Sequence, residues 1–357
     1  MKQKIIYLDN AATSFPKPRE VVDAMVRFQE EVGANPGRSG HRLSIEAARI
    51  IYEARELVAE LFGIRDSSRV IFGMNATDAL NLGIRGILRA GDHVITSSME
   101  HNSVMRPLRW LEKGGLELTV IPCSPQGLLG PGDLRRAFKK NTKMCILNHG
   151  SNVVGTLQPL ADVGEICRNA GIIFFVDAAQ TAGAIGEGFD QKKMIPLKTG
   201  GTGSRSEFEE QPDFLPDLFE CGTPNGIGLA GLKAGLDFIR ETGLGKIREY
   251  EICLTDRLLQ GLARIPRVTR YGLKKADKQC ATVSFNIEGL APSEVSLRLD
   301  EEFGVLCRVG LHCAPSAHKT IGTFPQGTVR FSLSYLNNGE EVDRALRAVS
   351  QLAKERA

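Results

Sequence analysis

Asp177 closes an otherwise apolar run, Ile172-Ile173-Phe174-Phe175-Val176-Asp177, and Gln180 follows three residues later. A run of that length and composition predicts a strand. A carboxylate at the carboxyl end of a central strand is costly to bury unless a cation meets it. In an open α/β sheet that end of the strand faces the ligand crevice, so the cation can belong to a ligand, a protonated pyridine nitrogen for example. The plainer role for such an aspartate is to cap the next turn.

Three further segments follow apolar runs in the same way. Asn75-Ala76-Thr77-Asp78 opens a helical pattern, where free backbone N–H groups, the Thr77 hydroxyl and the helix dipole favour an anion, although any of the three polar residues also suffices as an N-cap. Ser98-Met99-Glu100-His101 carries an imidazole able to stack on a flat ring or move a proton. His149-Gly150-Ser151-Asn152 offers an amide with both donor and acceptor, suited to a phenolic oxygen or a carboxylate.

The elements that must position these residues alternate. Strand-like runs at 69–72, 93–96, 116–121, 144–147 and 172–176 are separated by helical patterns at 78–88, 131–140 and 162–169, and preceded by helices at 19–32 and 44–62. This predicts an α/β fold with a mostly parallel sheet covered by helices on both faces. After Gly222 the texture changes to helices at 227–240 and 247–265, then a strand at 282–286, a helix at 293–303, a strand at 328–334 and a last helix after Gly339. We therefore expect a large α/β domain over 19–243 and a smaller α+β domain formed by 1–18 with 244–357.

With 357 residues the chain exceeds what one core usually supports, which agrees with two domains. Lys and Arg number 45 against 42 Asp and Glu, interspersed rather than clustered, which argues against a nucleic-acid or membrane-surface partner. Asp9 interrupts the only apolar run near the start, and no run approaches the length of a membrane span, so a cytoplasmic protein is expected. Eight cysteines without a C-x-x-C pair read as free thiols in a reducing compartment. Cys307, Cys313, His312 and His318 match no zinc spacing, and no metal is expected.

Taken together with Leu8-Asp9-Asn10-Ala11-Ala12-Thr13, the Asn-Pro-Gly-Arg-Ser-Gly-His stretch at 35–41, the Gly-rich stretch at 200–206, Glu220-Cys221-Gly222-Thr223, Gly310-Leu311-His312-Cys313 and Thr328-Val329-Arg330-Phe331, these motifs resemble the class V aminotransferases of fold type I. The similarity is greatest to cysteine desulfurases and selenocysteine lyases. The resemblance implies pyridoxal 5′-phosphate (PLP) as cofactor, with Thr77 on its phosphate, His101 stacked on its ring, Asn152 and Gln180 near the ring hydroxyl, and Asp177 on the pyridine nitrogen. It also implies a homodimer in which Thr223 reaches the neighbouring subunit's phosphate, and Arg330 as clamp for the substrate carboxylate. Cys313 falls where desulfurases carry the thiolate that takes sulfur from L-cysteine, leaving L-alanine and a persulfide for a sulfur-acceptor protein, and His312 beside it is expected to favour that thiolate. An aminotransferase acting on another amino acid would use the same cofactor residues without needing Cys313.

One residue that the resemblance requires is not found. The family's PLP lysine lies after the Asp-x-x-Gln strand and one further strand, yet only 17 residues, Thr181 to Leu197, separate Gln180 from Lys198. A crossover helix and its strand need more than about a dozen residues before any lysine loop is counted. The sequence reads as if a block were missing near 185–186. Lys192 and Lys193 fall in a polar stretch, and Lys198 precedes the Gly-rich segment. The chain is therefore also compatible with a non-catalytic dimeric homologue. Strands beside the missing block are expected to lose ladder partners, leaving the sheet closed up or with an exposed edge.

Overall fold

The computed structural model describes residues 5–37, 40–183, 194–205 and 207–355. The junction near 185–186, Lys192 and Lys193 lie outside the described residues. Along the chain run β1 (Ile6–Tyr7), α1 (Arg19–Arg27), α2 (Arg42–Phe62), α3 (Ala76–Ile87), β2 (His93–Ser97), α4 (Asn102–Glu112), β3 (Glu117–Ile121) and α5 (Pro131–Ala137). Then follow β4 (Thr142–Asn148), α6 (Leu160–Asn169), β5 (Ile173–Asp177), α7 (Gly226–Thr242), α8 (Leu244–Ala263), β6 (Val268–Arg270) and β7 (Thr282–Ile287). The chain ends with α9 (Pro292–Phe303), β8 (Val305–Leu306), β9 (Arg308–Gly310), α10 (Pro315–Thr320), β10 (Thr328–Ser332) and α11 (Gly339–Lys354).

Two compact units emerge. One comprises Met1–Phe15, Leu88–Thr181 and Arg248–Ala357; the other comprises Pro16–Ile87 and Ala182–Ile247.

The first unit holds a parallel sheet in the order β3-β2-β4-β5. Its helical crossovers match the alternation read from the sequence. β2 is buried along its whole length, and its register is pinned by His93, whose Nδ1 and Nε2 each lie 2.8 Å from a threonine hydroxyl, Thr142 on β4 and Thr119 on β3. Among the described residues β5 pairs with β4 alone, at the end of the order β3-β2-β4-β5. Its apolar residues Ile173 to Val176 are only half-buried, although their composition suits a strand covered on both sides. No other strand or helix lies between Asp177 and Gly226 among the described residues.

A second sheet in this unit is antiparallel, β6-β7-β10-β9, and its face is covered by an apolar cluster that includes Leu258 and Leu262 of α8, Val295 and Leu299 of α9, and Ala345 and Val349 of α11. At its centre Phe285 and Phe331, both fully buried, meet edge to face at 5.0 Å. Such a ring contributes about 2 to 3 kcal/mol through burial. β1 pairs in parallel with β8, and Asp9 bridges to Ser332, which attaches the N-terminal segment to the C-terminal elements.

The second unit is helical. α7 packs on α1 and α2, and Gly226 at its start lies so close to the Phe28 ring that a Cβ there would stand 2.4 Å from Phe28 Cζ. The run at 69–72 is not the strand its composition predicts: it begins in a 3₁₀ turn (Ser67–Arg69) and continues as extended chain. Side chains take its backbone groups instead of a ladder. Val70 O accepts from the buried Arg55 guanidinium, and Phe72 N donates to Glu220 Oε1 at 2.6 Å, while Arg55 and Glu220 form a two-pronged ion pair at 2.8 and 2.9 Å. Two backbone groups of the run are thus bonded to side chains rather than to a neighbouring strand.

Candidate active site

His101, Asn152, Asp177, Gln180, Cys313 and Arg330 belong to the first unit, Thr77 and Thr223 to the second. Asp177 ends β5 with its carboxylate buried, accepting from Ala179 N at 3.0 Å, while its own carbonyl receives His149 N at 2.9 Å. Burial raises the pKa of Asp177, and the nearby His101 works against that rise. His101 itself caps α4: its Nδ1 accepts from Ser103 N at 3.0 Å, so in the neutral ring the proton sits on Nε2. Burial lowers its pKa, opposed by Asp177 and reinforced by Arg308, Arg106 and Arg330. These two sequence-predicted residues therefore lie within electrostatic reach of each other.

Glu100, next to His101, was not singled out from the sequence. It is fully buried, and desolvation lifts its pKa to about 8, so at neutral pH it is mostly a neutral acid. It sits 2.5 Å from Ser97 Oγ and accepts from Asn148 N at 2.9 Å, which ties the ends of β2 and β4 together beneath His101 and Asp177.

Arg330 lies in the middle of β10 and is fully buried. Its Nη2 is 2.5 Å from Asp9 Oδ1 and its Nη1 donates to Asn152 O at 2.9 Å, leaving the buried Nε without an acceptor among the described residues. The Asn152 amide donates to His312 O at 2.7 Å. Asn152 and Arg330 thus come together, and the loop that bears Cys313 is tied to them. That loop is backbone-constrained: His312 and Cys313 both have positive φ, and Asn102 N donates to Cys313 O at 2.8 Å. The Cys313 thiol is exposed, with Arg308 Nη2 at 3.3 Å. His312 does not serve the thiol as the sequence suggested. It is buried 3.0 Å from Thr328 Oγ1, and desolvation drives its pKa down to about 2, so it stays neutral. The cation beside the sulfur is Arg308, five residues upstream, which no signal in the sequence pointed to.

Gln180 follows Asp177 by one turn and donates from its amide to Ala11 O at 3.0 Å, fixing the N-terminal motif to the strand end. In the second unit, Thr77 is exposed in the first turn of α3, and the cap is supplied by Asn75, whose Oδ1 accepts Asp78 N at 3.0 Å. Thr223 is exposed, with Asn35 Nδ2 at 3.5 Å from its hydroxyl. Lys198 pairs with Asp78 at 3.2 Å.

For PLP these residues fit in one respect and fail in another. A buried carboxylate that only one backbone donor and a neutral imidazole attend is matched by a ring N–H⁺, and a buried guanidinium with an unused Nε is matched by a carboxylate. The lysine that would hold the aldehyde carbon has no counterpart in the interval 181–197 other than Lys192 and Lys193.

The family described as aminotransferase class-V matches this chain in two stretches, residues 6–187 and 185–345. They meet where the sequence interval is too short. A probable cysteine desulfurase of Methanothermobacter thermautotrophicus is 31% identical over 385 positions, covering 98% of this chain and 94% of the relative. Since 98% of 357 residues is about 350, about 35 of those positions have no residue here. A cysteine desulfurase of Salmonella agona is 31% identical, covering 98% of this chain and 93% of its own. Among solved structures, an apo cysteine desulfurase from Thermococcus onnurineus superimposes with a TM-score of 0.88 at 32% identity, covering 98% of this chain and 95% of that one. A NifS-like protein at 24% identity, covering 98% and 99% of the two chains, shares the fold with a TM-score of 0.84. The family uses PLP in general, and this chain, with its fold-type-I architecture, belongs to the class V aminotransferases as a cysteine desulfurase-like member.

Proposed function

We propose that the site serves desulfuration of L-cysteine, with Cys313 as the sulfur acceptor. The observation that carries this reading is the exposed Cys313 thiol held 3.3 Å from the Arg308 guanidinium on a loop fixed to Asn152 and Arg330. In the net reaction the carbon–sulfur bond of L-cysteine breaks, sulfur joins Cys313 as a persulfide, and L-alanine leaves. PLP, when bound, supplies the electron sink for that bond cleavage. Asp177 would hold its ring nitrogen, His101 its face, Asn152 and Gln180 its ring hydroxyl, Thr77 its phosphate, and Thr223 the phosphate of a neighbouring subunit. Arg330 would bind the substrate carboxylate.

A cytoplasmic homodimer is part of this reading, with a large domain over 19–243 and a small one from 1–18 with 244–357. Val22 and Val26 share one face of α1 and are exposed, as are Ile45 and Tyr52 on α2, which suits a subunit contact. No described helix is long and apolar enough to cross a membrane.

The test is to incubate the full chain with PLP and L-cysteine and to measure L-alanine together with the gain of one sulfur atom on the Cys313 peptide. Cys313→Ser must abolish the persulfide. Turnover of another amino acid that survives Cys313→Ser would favour a class V aminotransferase instead. The missing lysine favours a second reading, a non-catalytic homologue, and a folded protein giving neither alanine nor persulfide would establish it.

A further inference from the structure

We propose that this chain holds PLP reversibly, with no covalent bond to a lysine, and takes pyridoxamine 5′-phosphate about as well as the aldehyde. The proposal rests on the reading that the site accepts a phosphorylated pyridine.

Three observations bear on the segment that follows Asp177. The two stretches that match the family overlap at 185–187. Among the described residues β5, which carries Asp177 and the half-buried Phe174 and Phe175, pairs with β4 alone, and no further strand precedes Gly226. Lys198, the first described lysine after Asp177, is more than half exposed and engaged with Asp78 at the start of α3. Between Asp177 and Lys198 the only amines that could hold the aldehyde are those of Lys192 and Lys193, in the polar stretch, while Asp177 keeps its place at the end of β5.

The two contacts assigned to the cofactor act alike on both of its forms. A carboxylate acts on the ring nitrogen and an anion site acts on the phosphate, and the aldehyde and the amine share both. They differ only at the carbon that a lysine would capture. A difference of less than about 1.4 kcal/mol, or tenfold in Kd, follows if nothing captures it.

The experiment uses the full chain. Binding of each compound is measured by titration, and the protein equilibrated with stoichiometric PLP is treated with borohydride and mapped by peptide mass, with pyridoxamine phosphate as competitor against scattered surface labelling. We expect Kd values within tenfold, loss of either compound on gel filtration, no stoichiometric adduct, and an equal weakening of both, about tenfold or more, in Asp177→Asn. A competed, stoichiometric adduct on Lys192, Lys193, Lys198 or any other lysine overturns the proposal and leaves the cofactor reading intact. Should the folded protein bind neither compound, the cofactor reading falls and takes the proposal with it.

Discussion

Arg330 and Arg308 stand directly opposite each other on the antiparallel strands β10 and β9. Like charges in that relationship repel unless each is met by something else. Here Arg330 is met by Asp9, and Arg308 turns to the Cys313 sulfur. The pair concentrates positive charge where the proposed reaction needs two anions, a carboxylate and a thiolate.

Removing Arg308 is expected to change the charge selectivity of alkylation at Cys313. Anionic iodoacetate should lose rate relative to neutral iodoacetamide by about fivefold in Arg308→Ala, corresponding to about 1 kcal/mol at a solvent-exposed charge. Competitive labelling followed by peptide mass gives the ratio directly. An unchanged ratio would mean that the guanidinium exerts no field on the sulfur.

Asp9→Asn leaves the Arg330 guanidinium buried without its counter-ion. Breaking one partner of such a pair costs about 3 to 5 kcal/mol, so the urea midpoint should fall sharply. Arg330→Met combined with Asp9→Leu should recover most of that loss, because no charge is then left buried. If the double variant is as unstable as Asp9→Asn, packing rather than charge is responsible.

Stability should depend on pH through two opposed sets of groups. Burial holds His312 near 2 and His318 near 4 in the folded chain, against 6.5 for an ordinary histidine. The unfolded chain binds the extra protons as pH falls below about 6.5, so the contribution is lost down to about pH 4 for His318 and about pH 2 for His312. Glu100 runs the other way. Its folded pKa of about 8 against 4.5 means that the folded chain alone keeps the proton between those values, and stability falls as pH rises through them. Glu100→Gln should therefore gain on the parent by about 1 kcal/mol per pH unit between pH 5 and 8 in denaturant titrations, while His318→Asn should flatten the acid limb.

The architecture was legible where periodicity and burial agree. The four runs from 93–96 to 172–176 became β2 to β5, because each has neighbours to pair with and helices to cover it. The run at 69–72 had the same composition and did not become a strand; its Val70 O and Phe72 N are held by Arg55 and Glu220 instead. Strands of two or three residues, β1, β6, β8 and β9, were invisible because their pairing depends on partners remote in sequence. At the site, Asp177 and His101 could be picked out by their position after apolar runs. Asp9 and Arg308 could not, because their importance comes from Arg330 and Cys313 across the fold. Glu100 was hidden by its type: a glutamate in a loop reads as solvated, and only its burial marks it.

The lone pairing of β5 bears on how the protein behaves in concentrated solution. Among the described residues only β4 pairs with Ile173-Phe174-Phe175-Val176, and the four carry no lysine or proline of the kind that discourages edge-to-edge association. Such a strand is a template for the same strand of another molecule. Light scattering should rise with protein concentration well before any heating, and Phe174→Lys should suppress it, so the usable storage concentration is set by four residues rather than by overall stability.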